Sequence, residues 1–157
     1  VATVVGLALD GEVMVGVNYD PQMNEMFHAE RGKGAYLNDA KIHVTDNTNL
    51  TEGILGTDLS YNSDSTVNGL AIVNSFLPEL WALRVMGSSA LGLSYAAAGR
   101  YDLYFHGSLS PWDQVAGMLL VELSRDADNG MSTAIANLYP AVAIRENDRG
   151  VEIVSDV

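Results

Sequence analysis

The chain has 157 residues, nearly half of them hydrophobic and none of them cysteine. That is long enough for one domain with a real core, and it excludes disulfides and thiolate metal sites. Acidic residues number 20 and basic ones 8, a formal charge of −12, so the basic surface needed for general nucleic-acid or anionic-membrane binding is scarce. There is no signal-peptide pattern and no long unbroken apolar run, and the lack of cysteine fits a reducing compartment, so a cytoplasmic protein is expected. Val1 already sits in a strand-like run without an initiator Met, and the chain is expected to start inside a longer fold.

Val1 to Leu9 is apolar and β-branched, Asp10-Gly11 is a two-residue hairpin signal, and Glu12 to Tyr19 reads as the returning strand. Asp20-Pro21 turns the chain, Glu25 to Glu30 is a third strand, and Tyr36 to Asp39 is a short strand running into a turn. This is an antiparallel meander. Thr45 to Glu52 is polar loop, Gly53 to Thr57 a short buried strand, and Asp58 to Asp64 surface loop. Apolar residues at Val67, Leu70, Ala71, Val73 and Leu77 predict a helix that Pro78 closes. Trp81 to Met86 reads as a strand, Ala90 to Ala98 as a small-residue helix stopped by Gly99, and Tyr101 to Phe105 as another strand. Strands alternating with helices from Gly53 onward predict an α/β layer arrangement, the opening meander belonging to a different sheet.

The next helix is the most informative stretch. Ser110 is a good N-cap, Pro111 suits the first helical position, and Asp113 falls in the first turn, where a carboxylate favours the positive end of the helix dipole. Two readings of Asp113 stand at this point: a capping carboxylate, or a ligand for a hard cation such as Mg²⁺. Gly87-Ser88-Ser89, between a strand and a helix start, is either a plain Ser cap or a turn whose N–H and hydroxyl groups meet a polar or anionic ligand. Gly32-x-Gly34 lacks the spacing of a nucleotide loop, Lys33 reads as a solvated charge, and His28 and His43 as structural or exposed.

Pro111-Trp112-Asp113-x-x-Ala116-Gly117 resembles the second signature of the inositol monophosphatase family, the Mg²⁺-dependent, lithium-sensitive phosphomonoesterases. Four further segments resemble that family in order and spacing: Val15 to Pro21, Glu25 to Asn38, Arg84 to Ala90, and Ala96 to Asp102. The resemblance covers Val1 to about Glu122. It implies the layered α/β sugar-phosphatase fold, with residues 1–44 as the end of the first sheet and 45–157 as the second α/β domain. It implies a Mg²⁺-dependent phosphatase acting on a small phosphate monoester, homodimeric as a whole protein. It implies Asp113 as catalytic metal ligand, and substrate contacts from Gly87, Ser88 and Ser89. His106 stands where many inositol-active members have a Glu that binds a sugar hydroxyl. It either takes up that role without the charge, which widens the substrate to other phosphate monoesters, or is an exposed loop residue. The resemblance implies that Arg84 is a buried support pairing with Asp113 or with nearby backbone, and Arg31 is expected to stabilise the turn at Gly32 to Gly34.

The family's remaining metal ligands come from a Glu-rich segment and an Asp-Pro-x-Asp-Gly-Thr motif, and neither occurs in these 157 residues. The chain resembles the back half of the enzyme. The alternative is a degenerate, non-catalytic binding or assembly module of the same fold. An opening meander without the rest of its sheet exposes an apolar edge, so self-association of the isolated chain is expected. After Glu122 the sequence departs from the family; strands are expected at Ser132 to Ala136, Ala141 to Ile144 and Val151 to Val154.

Overall fold

The computed structural model describes residues 1–61 and 63–125 and the strands 142–147 and 150–155. The meander is a five-stranded antiparallel sheet of β1 (Thr3–Leu9), β2 (Glu12–Asp20), β3 (Glu25–Glu30), β4 (Gly34–Leu37) and β5 (Ala40–Lys41), in chain order. Asp10 and Gly11, at φ 53° and 85°, form the two-residue turn that joins Leu9 to Glu12 across β1 and β2. Left-handed backbone at both positions gives the twist that a tight hairpin needs. The short β5 was not foreseen; Asn38 at φ 51° makes the turn that folds it back on β4.

The second sheet has three parallel strands in the order β7-β6-β8: β6 (Ile54–Thr57), β7 (Ala82–Val85) and β8 (Leu103–Phe105). Helix α1 (Ser63–Phe76) joins β6 to β7, and α2 (Ser89–Ala97) joins β7 to β8 on the other side of β6. Helix α3 (Pro111–Ser124) follows β8. Successive β8 residues separate the helices, because neighbouring side chains on a strand point to opposite faces. Tyr104 lies against Gly92 of α2, and Phe105 against Gly69 of α1. Helices α2 and α3 therefore fill the layer between the two sheets, while α1 lies outside. A separate hairpin, β9 (Val142–Asn147) with β10 (Gly150–Ser155), agrees with the strands expected near 141–144 and 151–154. The strand expected at 132–136 lies outside the described residues.

The core sits between the five-stranded sheet and α2 and α3, where Phe27, Ala29, Ala35, Ile42, Ala97, Leu119 and Leu120 are buried together. Contact is close enough to involve backbone. A methyl added at Gly16 of β2 would lie 2.7 Å from the Ala116 Cα of α3, and one added at Gly6 of β1 would lie 2.7 Å from Val115 side-chain carbons. Gly117 of α3 meets Leu93 of α2 in the same way. Polar links pin the layers laterally. Fully buried Asn18 donates from Nδ2 to the Ala90 carbonyl at 3.0 Å and to Ser94 Oγ at 2.9 Å. Its Oδ1 has no hydrogen-bond partner among the described residues. Arg31 fastens the end of α3 to the sheet, with Nη1 on Glu122 at 2.6 Å, Nε on the Val13 carbonyl at 3.1 Å and a contact to Glu12 at 2.9 Å. Its reach is therefore wider than the turn that the sequence suggested. Lys33 is solvated beside Glu30, and His28 stacks on Tyr36.

Arg100, just past α2, grips Glu25 of β3 with two hydrogen bonds of 2.7 and 2.6 Å and lies over the Tyr95 ring at 4.6 Å. The Arg100 hydrogen bonds hold the Glu25 carboxyl below its usual range. Replacing Arg100 with Ala is expected to cost about 1–2 kcal/mol in urea unfolding at pH 7, toward the lower figure because the arginine is partly exposed to screening water. Because the folded pKa of Glu25 is depressed, its contribution is complete above its unfolded value and fades as pH falls through the folded one. The destabilisation by R100A should therefore shrink at pH 3.

On the far side of the five-stranded sheet from β5, β1 is an edge strand, and Val5, Leu7 and Leu9 are more than half exposed. No helix among the described residues is long and apolar enough to cross a membrane.

Candidate active site

The parallel strands end in register. Thr57 pairs with Val85 on one side and Phe105 on the other. The residues just beyond, Asp58, Met86 and His106, therefore emerge side by side at one edge of the sheet. Because α1 leads away from β6 in one direction and α2 returns past it in the other, this carboxyl edge is where an open α/β sheet forms its ligand crevice. The start of α2, the loop carrying His106 and the first turn of α3 all belong to this end.

Asp113 is half-buried. Its backbone N–H donates to the Ser110 carbonyl at 3.0 Å, while its carboxylate caps no N–H group among the described residues. Ser110 makes no side-chain cap either, and Pro111 removes one donor that would need one. Of the two readings of Asp113, the cap is thus not the one adopted, and both carboxylate oxygens are available. Helix α2 begins alike: Ser88 holds the N-cap position without a side-chain cap bond, Gly87 turns the chain at φ 78°, and Ser88 and Ser89 are half-buried. The first amides of α2 and two hydroxyls are left for a polar or anionic ligand.

His106 is half-buried, not fully exposed. Its Nδ1 accepts the Ser108 N–H at 3.1 Å. Burial pushes the imidazole below its ordinary value, against the opposing pull of Asp58 first and, more weakly, Asp113. The neutral ring with its proton on Nε2 is the form this arrangement favours. The same two carboxylates act on Tyr104, whose hydroxyl is pushed far up by burial and by its hydrogen bond to Asp58. Asp58, Tyr104, His106 and Asp113 thus share one electrostatic neighbourhood.

Asp58 is the residue the sequence reading missed. It was placed in a surface loop, yet it is only 9% exposed. Oδ1 accepts the Met86 N–H at 2.9 Å and the Gly87 N–H as well, and Oδ2 accepts the Tyr104 hydroxyl at 2.8 Å. A carboxylate directly after a short buried strand was the available signal, since sites in parallel sheets form at carboxyl ends. Arg84 corrects the expectation of burial: it is exposed, and of the two partners expected it takes nearby backbone, the Leu83 carbonyl at 3.0 Å, with no bond to Asp113 among the described residues. It sits on β7, an edge strand of its sheet, where an arginine head can stay in water.

In layered α/β folds, small-molecule sites form at the carboxyl ends of parallel strands. Comparison with known proteins makes this specific: the sequence model of the inositol monophosphatase family matches residues 1–123, and the chain belongs to that family. It is 35% identical over 121 residues to an inositol-1-monophosphatase of Mesorhizobium japonicum, covering 76% of this chain and 46% of the relative. It is 38% identical over 149 residues to a protein of Xylella fastidiosa named Nus factor SuhB, covering 94% and 52%. The solved inositol monophosphatase of Anabaena superposes with a TM-score of 0.74 at 35% identity, covering 78% of this chain and 49% of that one. The chain thus spans about half the length of these relatives.

The family's metal can be weighed against the donors present. A free carboxylate on Asp113 suits a hard cation, but Mg²⁺ takes about six oxygens. No group of three His, Cys, Asp or Glu side chains able to hold a metal occurs among the described residues. Among the described residues Asp113 offers one suitable oxygen donor group, which alone does not make a complete centre.

Proposed function

We propose that this chain is part of a Mg²⁺-dependent phosphatase that hydrolyses a small phosphate monoester, such as inositol monophosphate or a related sugar or polyol phosphate. The whole protein would be a cytoplasmic homodimer whose further metal ligands come from outside the described residues. The observation that carries the reading is the convergence of two uncapped groups at one end of the parallel sheet, the Asp113 carboxylate and the start of α2, with His106 beside them. In this reading Asp113 holds the metal. The Gly87-Ser88-Ser89 turn contacts the substrate through N–H and hydroxyl groups. His106, as a neutral Nε2–H donor, selects among hydroxyl-bearing substrates without the charge a Glu would bring.

The test is phosphate release from inositol monophosphate by the whole protein. Release is expected with Mg²⁺ and is expected to fall to background with EDTA. A second reading is a non-catalytic binding or assembly module of the same fold. Relatives named Nus factor SuhB are in keeping with it. Calorimetric binding of inositol monophosphate without metal, together with no phosphate release under any metal, would select that second reading.

A further inference from the structure

We propose that Asp58 is a positioning residue that sets the geometry of the Gly87–Ser89 turn, an inference that rests on the substrate-contact role proposed above for that turn. Its carboxylate bridges all three strands of the parallel sheet at the crevice edge. It leaves β6, takes the Met86 and Gly87 amides beyond β7, and takes the Tyr104 hydroxyl from β8. These bonds do two things. They consume the two N–H groups that precede α2, so a ligand is left only the amides from Ser88 onward. They also fix the left-handed Gly87 peptide, which decides where Ser88 and Ser89 point.

The Asp58 carboxylate stands at a strand end, buried, beside the exposed Gly87. A buried carboxylate with three donors is a rigid clamp, because each bond to a charged acceptor is stronger than a neutral one. The third bond seats Tyr104, which in turn packs on Gly92 within α2. Asp58 thus controls both the entrance to α2 and the strand residue beneath it.

The experiment compares Asp58→Ala, Asp58→Asn and Tyr104→Phe in the whole protein, by amide hydrogen exchange and by kinetics with inositol monophosphate and Mg²⁺. In D58A the Met86 and Gly87 amides should exchange about tenfold or more faster, while core amides at Leu55 and Leu120 keep their protection. KM should rise about fivefold or more, with kcat within about twofold, because contacts made in both ground and transition states are lost. Asn keeps an acceptor for the two amides and should restore both readouts most of the way. Y104F removes only the Oδ2 bond, keeps the ring on Gly92, and should give an intermediate KM. Unchanged Met86 and Gly87 exchange in D58A overturns the clamp. A fall in kcat at constant KM, not rescued by Asn, marks a merely structural residue and overturns the positioning role. If D58A does not fold, an unchanged KM in Y104F, with unchanged Met86 and Gly87 exchange in that variant, overturns the proposal. If the wild-type protein releases no phosphate, the phosphatase reading fails, and the exchange data alone still decide the clamp.

Discussion

Replacing Asp113 with Asn in the whole protein is expected to reduce phosphate release by about a thousandfold or more, equivalent to about 4 kcal/mol of lost transition-state stabilisation. Asparagine preserves size and keeps a carbonyl oxygen, but it removes the negative charge that a divalent cation needs. The carboxylate makes no cap bond whose loss would unfold the helix start. Only the first-turn charge on the helix dipole is lost, about 0.3–1 kcal/mol. The variant should therefore melt almost like the wild type while its half-saturating Mg²⁺ concentration rises steeply. Turnover within about threefold of wild type would remove Asp113 from the metal site.

Gly16→Ala is expected to be strongly destabilising. The added carbon would face the Ala116 Cα at 2.7 Å and its carbonyl oxygen at 3.0 Å. Both belong to helix backbone and cannot rotate away, so α3 itself must lift from the sheet. Overpacking of this kind costs about 1–3 kcal/mol, and here the upper part of that range is expected, about 5–10 °C in a thermal melt. Asp113 lies less than one helical turn before Ala116, so activity should fall further than stability explains. Gly32→Ala is the control: its φ is 84°, but nothing lies within 4 Å of the new methyl. It should cost only about 1 kcal/mol of backbone strain and leave turnover alone. Equal melting of G16A and wild type would show that α3 has more clearance than the structure gives it.

Local signals made most of the fold legible. Asp10-Gly11 fixed one hairpin, Pro78 and Gly99 closed two helices, and Ser110-Pro111 opened the third, each through backbone chemistry written within a few residues. What stayed illegible was long-range. The tight seats of Gly6, Gly16 and Gly117 depend on which element crosses them, and neighbouring residues do not encode that. Asp58 was hidden for the same reason: its three donors come from positions 28, 29 and 46 residues away. Arg84 shows the opposite failure, where a position carried over from the family's pattern was given a buried role that an edge strand does not supply. Asp113 stood out in sequence because the motif around it is local, but its freedom from capping could be seen only once the amides of α3 were placed.

The outer helix carries a dynamic consequence. Of α1's fourteen residues only Gly69 and Val73 are buried, so little free energy holds it against the sheet. Local opening is cheapest where buried contact is least, and α1 should be the first helix to exchange its amides. It is also the wall on which the His106 loop leans: a methyl added at Gly107 would lie 2.7 Å from the Ser65 carbonyl oxygen of α1. Helices α2 and α3, by contrast, are locked to each other and to the five-stranded sheet through glycine. The candidate site therefore has two rigid walls and one compliant one, and the compliant wall stands on the His106 side.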